Sequence, residues 1–198
     1  MTGGRGVVLP VWLALILGLL DPVHSLDGRV QEAVQRSRGP VLDQVVRTAT
    51  GIARPPVVLA LTLGVAIWGG PAGLATARHA VLAMIPANLA VEGLKRLVNR
   101  PRPDGERRRS NSSFPSSHAA NAFAMAWVLG RRWRRFSIPF WLLAAAVGWS
   151  RMYLNRHFLS DVLCGAIIGV TCAWCVGRLA RGRIARGAEG RAEEPGLR

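Results

Sequence analysis

Apolar residues in this chain are gathered into about six stretches, and this segregation limits its fold more than any other feature. Half of the 198 residues are hydrophobic while the formal net charge is +15, so apolar and basic residues cannot be evenly mixed. A membrane-spanning helix needs about 20 mostly apolar residues, and the shorter stretches reach that length with flanking polar residues. We therefore expect an all-α, polytopic membrane bundle of about six transmembrane helices. The apolar stretches are residues 7–20, 56–68, 80–98, 119–129, 138–149 and 162–176.

One membrane-embedded domain is predicted over residues 1–181. Residues 1–25 are expected to form the first span, although their short apolar core also fits a signal peptide. Residues 26–55 mix polar and apolar side chains around a break at Gly39-Pro40, which predicts two short helices on the membrane surface. Residues 182–198 are rich in Gly, Arg and Glu, so we expect a disordered tail.

Clustered arginines predict the orientation of the spans. With six spans, both termini lie on the same side of the membrane as the loop after the fourth stretch. Positive charge accumulates on the cytoplasmic side of membrane proteins. This side is therefore expected to be cytoplasmic, in a multi-pass protein of the cell membrane. The arginines concerned are Arg131, Arg132, Arg134 and Arg135 in the loop and Arg178, Arg181, Arg183, Arg186, Arg191 and Arg198 in the tail.

Polar residues at the other ends of the apolar stretches fall together on the extracytoplasmic side in this topology. They come from distant parts of the sequence, so their convergence predicts a functional site at that face. They are Lys95, Arg102, Ser116, Ser117, His118, Arg151, His157 and Asp161.

The start of the fourth stretch indicates binding of phosphate or another oxyanion. Ser116, Ser117 and His118 occupy the first turn of a predicted helix, where free N–H groups and a partial positive charge suit an anion. Ser116 also fits the simpler role of an N-cap. The chain's only lysine, Lys95, could contribute a point charge to the same phosphate or snorkel at the end of its span.

Arginine and histidine residues of the later stretches fit the same chemistry. The guanidinium groups of Arg102 and Arg151 can each grip two phosphate oxygens. If the segment from His157 is helical, Asp161 lies four residues on and on the same face. Its carboxylate can then accept a proton from one ring nitrogen and leave the other free for nucleophilic attack. The same spacing also occurs on solvated helices without any function.

Two other classes of function fit the sequence poorly. A nucleic-acid binder would suit the basic composition, but the arginines cluster at span ends and no binding motif is present. The three cysteines, Cys164, Cys172 and Cys175, lie in the last apolar stretch. They include one C-x-x-C pair without a second pair to complete a zinc site, so they are expected to be small packing residues.

Three spaced motifs resemble those of the type 2 phosphatidic acid phosphatase superfamily, which also includes vanadium-dependent haloperoxidases. The family motif K-x6-R-P is similar to residues 95–103, KRLVNRPRP. The motif P-S-G-H is similar to residues 115–118, PSSH, with Ser117 in place of the usual glycine. The motif S-R-x5-H-x3-D is similar to residues 150–161, SRMYLNRHFLSD.

This resemblance implies a role for each matched residue. His157 would be the nucleophile, Asp161 would orient it, and His118 would be the general acid. The remaining matched residues would form the phosphate pocket, and the family's six-span layout would cover nearly the whole chain. The pocket residues are Lys95, Arg102, Ser116, the backbone at Ser117, and Arg151.

The expected activity is metal-independent hydrolysis of a lipid phosphomonoester or diphosphate through a phosphohistidine. Three cations and a helix N-terminus supply the positive charge that phosphoryl transfer requires, so no metal or cofactor is predicted. Candidate substrates are polyprenyl diphosphate, phosphatidic acid and phosphatidylglycerol phosphate. The expected partners are this lipid and the membrane, without nucleic acid or an obligatory protein partner. The alternatives are an inactive membrane scaffold, a transporter of the same fold, or a haloperoxidase, although haloperoxidases are soluble and larger.

Overall fold

The computed structural model describes the backbone of residues 11–52, 55–106 and 112–192, and the side chains of residues 23–50, 57–106 and 112–182. Within these residues every regular element is helical, which confirms the predicted all-α class. A short 3-10 turn, Arg134–Phe136, joins the fifth and sixth α-helices. The α-helices are α1 (Val11–Arg36), α2 (Pro40–Ile52), α3 (Pro55–Trp68), α4 (Gly70–Val98), α5 (Ser117–Arg132), α6 (Ser137–Tyr153) and α7 (Leu159–Ala192).

Two helical segments of the described chain are long and apolar enough to cross a membrane. They are Gly70–Val98 and Leu159–Gly182, and the apolar part of α3, Val57–Trp68, is shorter. Helices α5 and α6 contain 16 and 17 residues, below the length of about 20 that a span needs. The expected number of six spans is therefore not confirmed.

Small residues fill the interior of the bundle, and large apolar residues lie on its outside. This distribution is typical of helices that pack in a membrane, where small residues allow close approach and lipid covers the larger ones. The buried residues include Ala80, Ala83, Ala87, Ala119, Ala120, Ala124 and Ala173. The exposed ones include Leu61, Ile85, Leu89, Leu142, Leu143, Ile167 and Leu179.

Glycines bring α5 and α7 into direct backbone contact. A Cβ atom at Gly165 would lie 2.3 Å from the carbonyl oxygen of Ser116, and one at Gly169 would lie 2.0 Å from that of Ala120. Neither position can hold a side chain without moving a helix. The close approach fixes the first turn of α5 against the first turns of α7, which carry the predicted site residues.

The N-terminal part differs from the sequence prediction in one respect. The expected first span and the first surface helix form a single helix, α1, because Val30 and Val34 continue its apolar face and pack against a cluster with Met152 and Val162. The break predicted at Gly39-Pro40 is found, and α2 begins at Pro40. Residues 1–10 lie outside the described part of the chain.

The last helix extends past Gly182, the end of its apolar part. Helix α7 is described through Ala192, and the disorder expected of residues 182–198 stays a prediction. Alanine, arginine and glutamate are good helix formers, so the segment can extend α7 despite its glycines. Residues 193–198 lie outside the described residues.

Helix α1 closes one end of the bundle by capping α6. Gln31 and Gln35 donate from their Nε2 atoms to the Met152 carbonyl oxygen, each at 3.0 Å. Tyr153 donates from its hydroxyl to Asp43 of α2 at 2.6 Å. The end of α6, and with it Arg151, is therefore anchored by the N-terminal helices.

Candidate active site

The chain turns sharply where α4 ends and begins the loop that carries Arg102. Asn99 adopts a left-handed conformation with φ of 46°, and its N–H donates to the Lys95 carbonyl oxygen at 3.1 Å. This is a common helix C-cap, and asparagine tolerates it better than most residues. The turn directs the next residues back over the ends of α5 and α7.

Arg156 joins the Arg102 loop to the loop that carries His157. Its guanidinium forms ion pairs with Asp104 at 2.8 Å and with Glu106 at 3.1 Å. Arg102 in turn donates from Nη1 to the Arg156 carbonyl oxygen at 3.1 Å. The first and third motifs, more than 50 residues apart, are thus joined directly.

His157 lies in the turn before α7 rather than within the helix, and it is 3 % exposed. Its Nδ1 is 2.7 Å from the carbonyl oxygen of Ser113. A carbonyl oxygen only accepts, so Nδ1 carries the proton and Nε2 has a free lone pair. Burial lowers the pKa of His157 below its usual range, although Asp161 opposes this effect, so the ring is neutral at neutral pH.

Asp161 does not form the direct hydrogen bond to His157 that was predicted. Its Oδ2 atom is 3.8 Å from Nδ1 of His157, beyond hydrogen-bonding distance. The same oxygen accepts from the Ser113 hydroxyl at 2.5 Å and from the Phe158 N–H at 2.8 Å, while Oδ1 accepts from Arg100 at 2.6 Å. Other donors therefore occupy both oxygens of the carboxylate. Ser113 connects Asp161 to His157, because its hydroxyl donates to Asp161 and its carbonyl oxygen accepts from His157.

The first turn of α5 lies beside this pair, as predicted. Helix α5 begins at Ser117, and Ser116 is its N-cap, whose hydroxyl accepts from the Ala119 N–H at 3.4 Å. The Ser116 N–H donates to the Asp161 carbonyl oxygen at 3.0 Å. His118 interacts electrostatically with all the other predicted basic groups of the site. These are Arg151, His157, Lys95 and Arg102.

Three buried cations face this region, and each is held differently. Lys95 donates to Glu92 at 2.8 Å, although half of the Glu92 side chain is exposed. Arg102 is bonded to the Arg156 carbonyl, as described above. Arg151 is buried, and its Nη2 atom has no hydrogen-bond partner among the described residues. A buried guanidinium donor without an acceptor is costly, so this position favours an anion as its missing partner.

The structure thus brings together all eight residues predicted from the sequence. It also shows residues that the sequence analysis missed, namely Arg100, Ser113 and Asp27, which are hydrogen-bonded to Asp161 or to its neighbours. The sequence signal for Arg100 was its position two residues before Arg102. Asp27 gave no distinct signal, because it lies in the mixed polar and apolar part of α1. Among the described residues, no three His, Cys, Asp or Glu side chains group together as metal ligands.

Comparison with known proteins identifies the family. Residues 76–184 match the family model described as the PAP2 superfamily, which is more than half of the chain. Two bacterial relatives share short, similar stretches with this chain. The lipid A 1-phosphatase of Porphyromonas gingivalis is 43% identical over 75 residues, covering 36% of this chain and 16% of that protein. The decaprenylphosphoryl-5-phosphoribose phosphatase of Mycobacterium tuberculosis is 35% identical over 96 residues, covering 46% of this chain and 53% of that protein.

Two solved membrane-protein structures have the same fold over most of their length. The Aquifex aeolicus LpxE structure has a TM-score of 0.68 at 26% identity and covers 76% of this chain and 93% of that one. The transmembrane PAP2-type phosphatidylglycerolphosphate phosphatase of Bacillus subtilis has a TM-score of 0.66 at 27% identity. The match covers 87% of this chain and 96% of that one. The chain spans about half or less of the curated relatives it matches but nearly all of both solved structures. From the family match, with the motif geometry and these neighbours in agreement, the chain belongs to the PAP2 superfamily.

Proposed function

We propose that this protein hydrolyses a lipid phosphomonoester or diphosphate at the extracytoplasmic face of the membrane, without a metal and through a phosphohistidine intermediate. The observation that carries the proposal is the bond from His157 Nδ1 to the Ser113 carbonyl. It leaves Nε2 as a neutral nucleophile beside a set of buried cations. This is the combination that attack on a phosphoryl group requires.

In the first step, Nε2 of His157 attacks phosphorus and the bond to the lipid oxygen breaks. His118 donates a proton to that oxygen, so the lipid leaves as a neutral alcohol or, from a diphosphate, as a monophosphate with one negative charge fewer. The spreading charge on the three phosphoryl oxygens is balanced by Lys95, Arg102 and Arg151. The helix N-terminus at Ser116 and Ser117 adds backbone donors.

In the second step, water attacks the phosphohistidine and breaks the P–N bond. His118 accepts the proton from water, which returns it to its starting state and releases inorganic phosphate. Asp161 supports His157 throughout by its negative charge and through Ser113. Every step uses residues that lie at one end of the bundle.

The substrate class follows from where the site lies. The ends of four apolar helices surround it, so a molecule with a phosphate head could present the head to the site while its apolar chain remains in lipid. The names of the similar proteins describe phosphatases of lipid A, of decaprenylphosphoryl-phosphoribose and of phosphatidylglycerolphosphate. All of these carry a phosphate head on a lipid, which supports the same class here. A panel of these lipids with polyprenyl diphosphate and phosphatidic acid would distinguish the members.

The test of this function is replacement of the nucleophile. We expect His157→Ala to abolish phosphate release from the best lipid of the panel, because no other group can accept the phosphoryl. The wild-type protein should form an acid-labile, base-stable phosphoenzyme, and the variant should not. His24→Gln is the matched control, because His24 is exposed on α1. Turnover by His157→Ala contradicts the mechanism, and a wild type that releases no phosphate favours the scaffold or transporter alternative.

The extracytoplasmic location has its own test. After replacement of Cys164, Cys172 and Cys175 by alanine, a cysteine is placed either at Asn111, between α4 and α5 and outside the described residues, or at the exposed Arg132. We expect a membrane-impermeant thiol reagent to label the first in intact cells and the second only after the cells are opened. Reversed labelling would place the site in the cytoplasm and contradict this location.

A further inference from the structure

The side chain of Arg100 is hydrogen-bonded to two helices, α1 and α7, beside His157. Its Nη1 atom donates to Asp161 at 2.6 Å and to the Ser160 hydroxyl at 2.7 Å, and its Nη2 donates to Asp27 at 2.7 Å. The guanidinium also lies 4.3 Å from the ring centre of Phe158. These contacts engage both ends of the guanidinium fork with protein groups.

Asp27 holds the other side of Arg100. Its side chain is buried, and besides Arg100 it accepts from the Ser160 N–H at 2.9 Å and the Ser160 hydroxyl at 2.6 Å. Asp27 belongs to α1, so it lies outside residues 76–184, which match the family. The N-terminal helix therefore supplies a buried charge to the first turn of α7.

The path from Arg100 to the nucleophile runs through Ser113. The Arg100 carbonyl oxygen accepts from the Ser113 N–H at 2.9 Å, and the Ser113 hydroxyl donates to Asp161. The Ser113 carbonyl oxygen is the acceptor for His157 Nδ1. Arg100 thus holds Ser113 by its backbone and, through Asp161, by its side chain.

The charges explain why both partners of Arg100 are needed. Asp27 and Asp161 are buried carboxylates bonded to one guanidinium, and each would be an unpaired buried charge without it. A bidentate arginine fixes the angle between its two partners, which a lysine cannot do. The pair therefore sets the position of Asp161 relative to Ser113.

We propose that Arg100 and Asp27 are positioning residues that hold Asp161 and the Ser113 carbonyl so that His157 Nε2 points at phosphorus. The inference rests on the proposed phosphatase function. A defect in this network slows attack by His157 but leaves the binding of phosphate by Lys95, Arg102 and Arg151 unchanged. Slower attack with unchanged phosphate binding distinguishes a positioning role from a direct contribution to the phosphate pocket.

The first test is Asp27→Asn in the full-length, detergent-solubilised protein. It keeps the shape of the side chain and removes the charge that balances Arg100. We expect kcat to fall about 10- to 100-fold, because a small misplacement of a reacting group has effects of that size. KM and competitive inhibition by inorganic phosphate, a tetrahedral ligand that needs the cations of the pocket but no bond to His157, should stay within about twofold. Glu32→Gln is the matched control, because Glu32 is an exposed acidic residue of the same helix.

The second test is Arg100→Lys, which keeps the charge and removes the fork. It should show the same loss of kcat and the same unchanged inhibition by inorganic phosphate. The rate of phosphoenzyme formation, measured in a single turnover, should fall in parallel with kcat, because the affected step is attack by His157.

The remaining outcomes overturn the inference. They are a kcat within twofold of wild type, a parallel loss of kcat and of inhibition by inorganic phosphate in folded protein, or failure of both variants to give monodisperse protein. The last would mean that the residues hold the fold rather than the nucleophile. Wild-type protein that releases no phosphate contradicts the proposed function instead, whereas an active wild type with unaffected variants contradicts this inference alone.

Discussion

The two ends of the helix bundle use arginine in opposite ways. At the end with the site, Arg100, Arg102 and Arg151 have little exposure, and the first two donate hydrogen bonds to acceptors of the protein that hold them. At the other end, four arginines have their guanidinium groups about 5 Å from aromatic rings, and none of them has an ion-pair partner among the described side chains. These are Arg131 over Trp127, Arg132 over Trp133, Arg135 over Phe136 and Arg178 over Trp174.

The difference follows from solvation. An exposed guanidinium keeps its hydration, and an aromatic face adds a modest attraction, so no counter-charge is required. A buried guanidinium requires an acceptor for each donor, and the unmatched Nη2 of Arg151 lacks one. A cavity of about 1290 Å³ lies at the exposed-arginine end and is lined by none of the site residues. Charge burial, rather than the presence of a large cavity, therefore distinguishes the end with the candidate site.

The largest effect that would test this comparison is expected at His118. For His118→Ala, we expect hydrolysis of a lipid substrate to slow by about 100- to 10,000-fold, because a poor leaving group needs a proton. A phenyl phosphate with an activated leaving group should be affected much less. The measurement is kcat/KM for both substrates, and equal losses on the two would remove the acid role from His118.

A somewhat smaller effect is expected at the buried arginine. Arg151→Gln removes a charged donor from the developing phosphoryl charge, and we expect kcat/KM to fall by about 100- to 1,000-fold. Inhibition by inorganic phosphate should weaken in the same variant, in contrast to Asp27→Asn. Unchanged inhibition by phosphate would show that Arg151 does not contact the phosphoryl group and would contradict the comparison of the two ends.

The smallest effect is expected at the exposed end. Arg131→Gln removes a cation of the same type from the ring of Trp127, and we expect kcat/KM to stay within about twofold of wild type. Comparing it with Arg151→Gln in the same assay controls for the loss of one positive charge. A loss at Arg131 similar to that at Arg151 would mean that the net charge of the chain, rather than the buried site, drives activity.

Much of the site could be predicted because motif residues are set by their type and spacing. Lys95 was noticeable as the only lysine, and Ser116 to His118 stood where an apolar helix begins. Successive spans cross the membrane in opposite directions, so the topology alone predicts that these residues lie at the same end of the bundle. This prediction requires no side-chain detail. The number of spans was less predictable, because α5 and α6 are short and hydropathy alone does not give their length in a membrane.

The sequence by itself determined the helical class, the two ends of the bundle and the eight residues that gather at one of them. Only the tertiary structure decided which donors bind the carboxylate of Asp161. Spacing in the sequence predicts which residues share a helix face, but a carboxylate binds the donors that reach it in three dimensions. Ser113 and Arg100, 48 and 61 residues away, occupy its oxygens, so Asp161 is connected to His157 through Ser113 rather than directly. Asp27, from a helix near the start of the chain, became part of the site for the same reason.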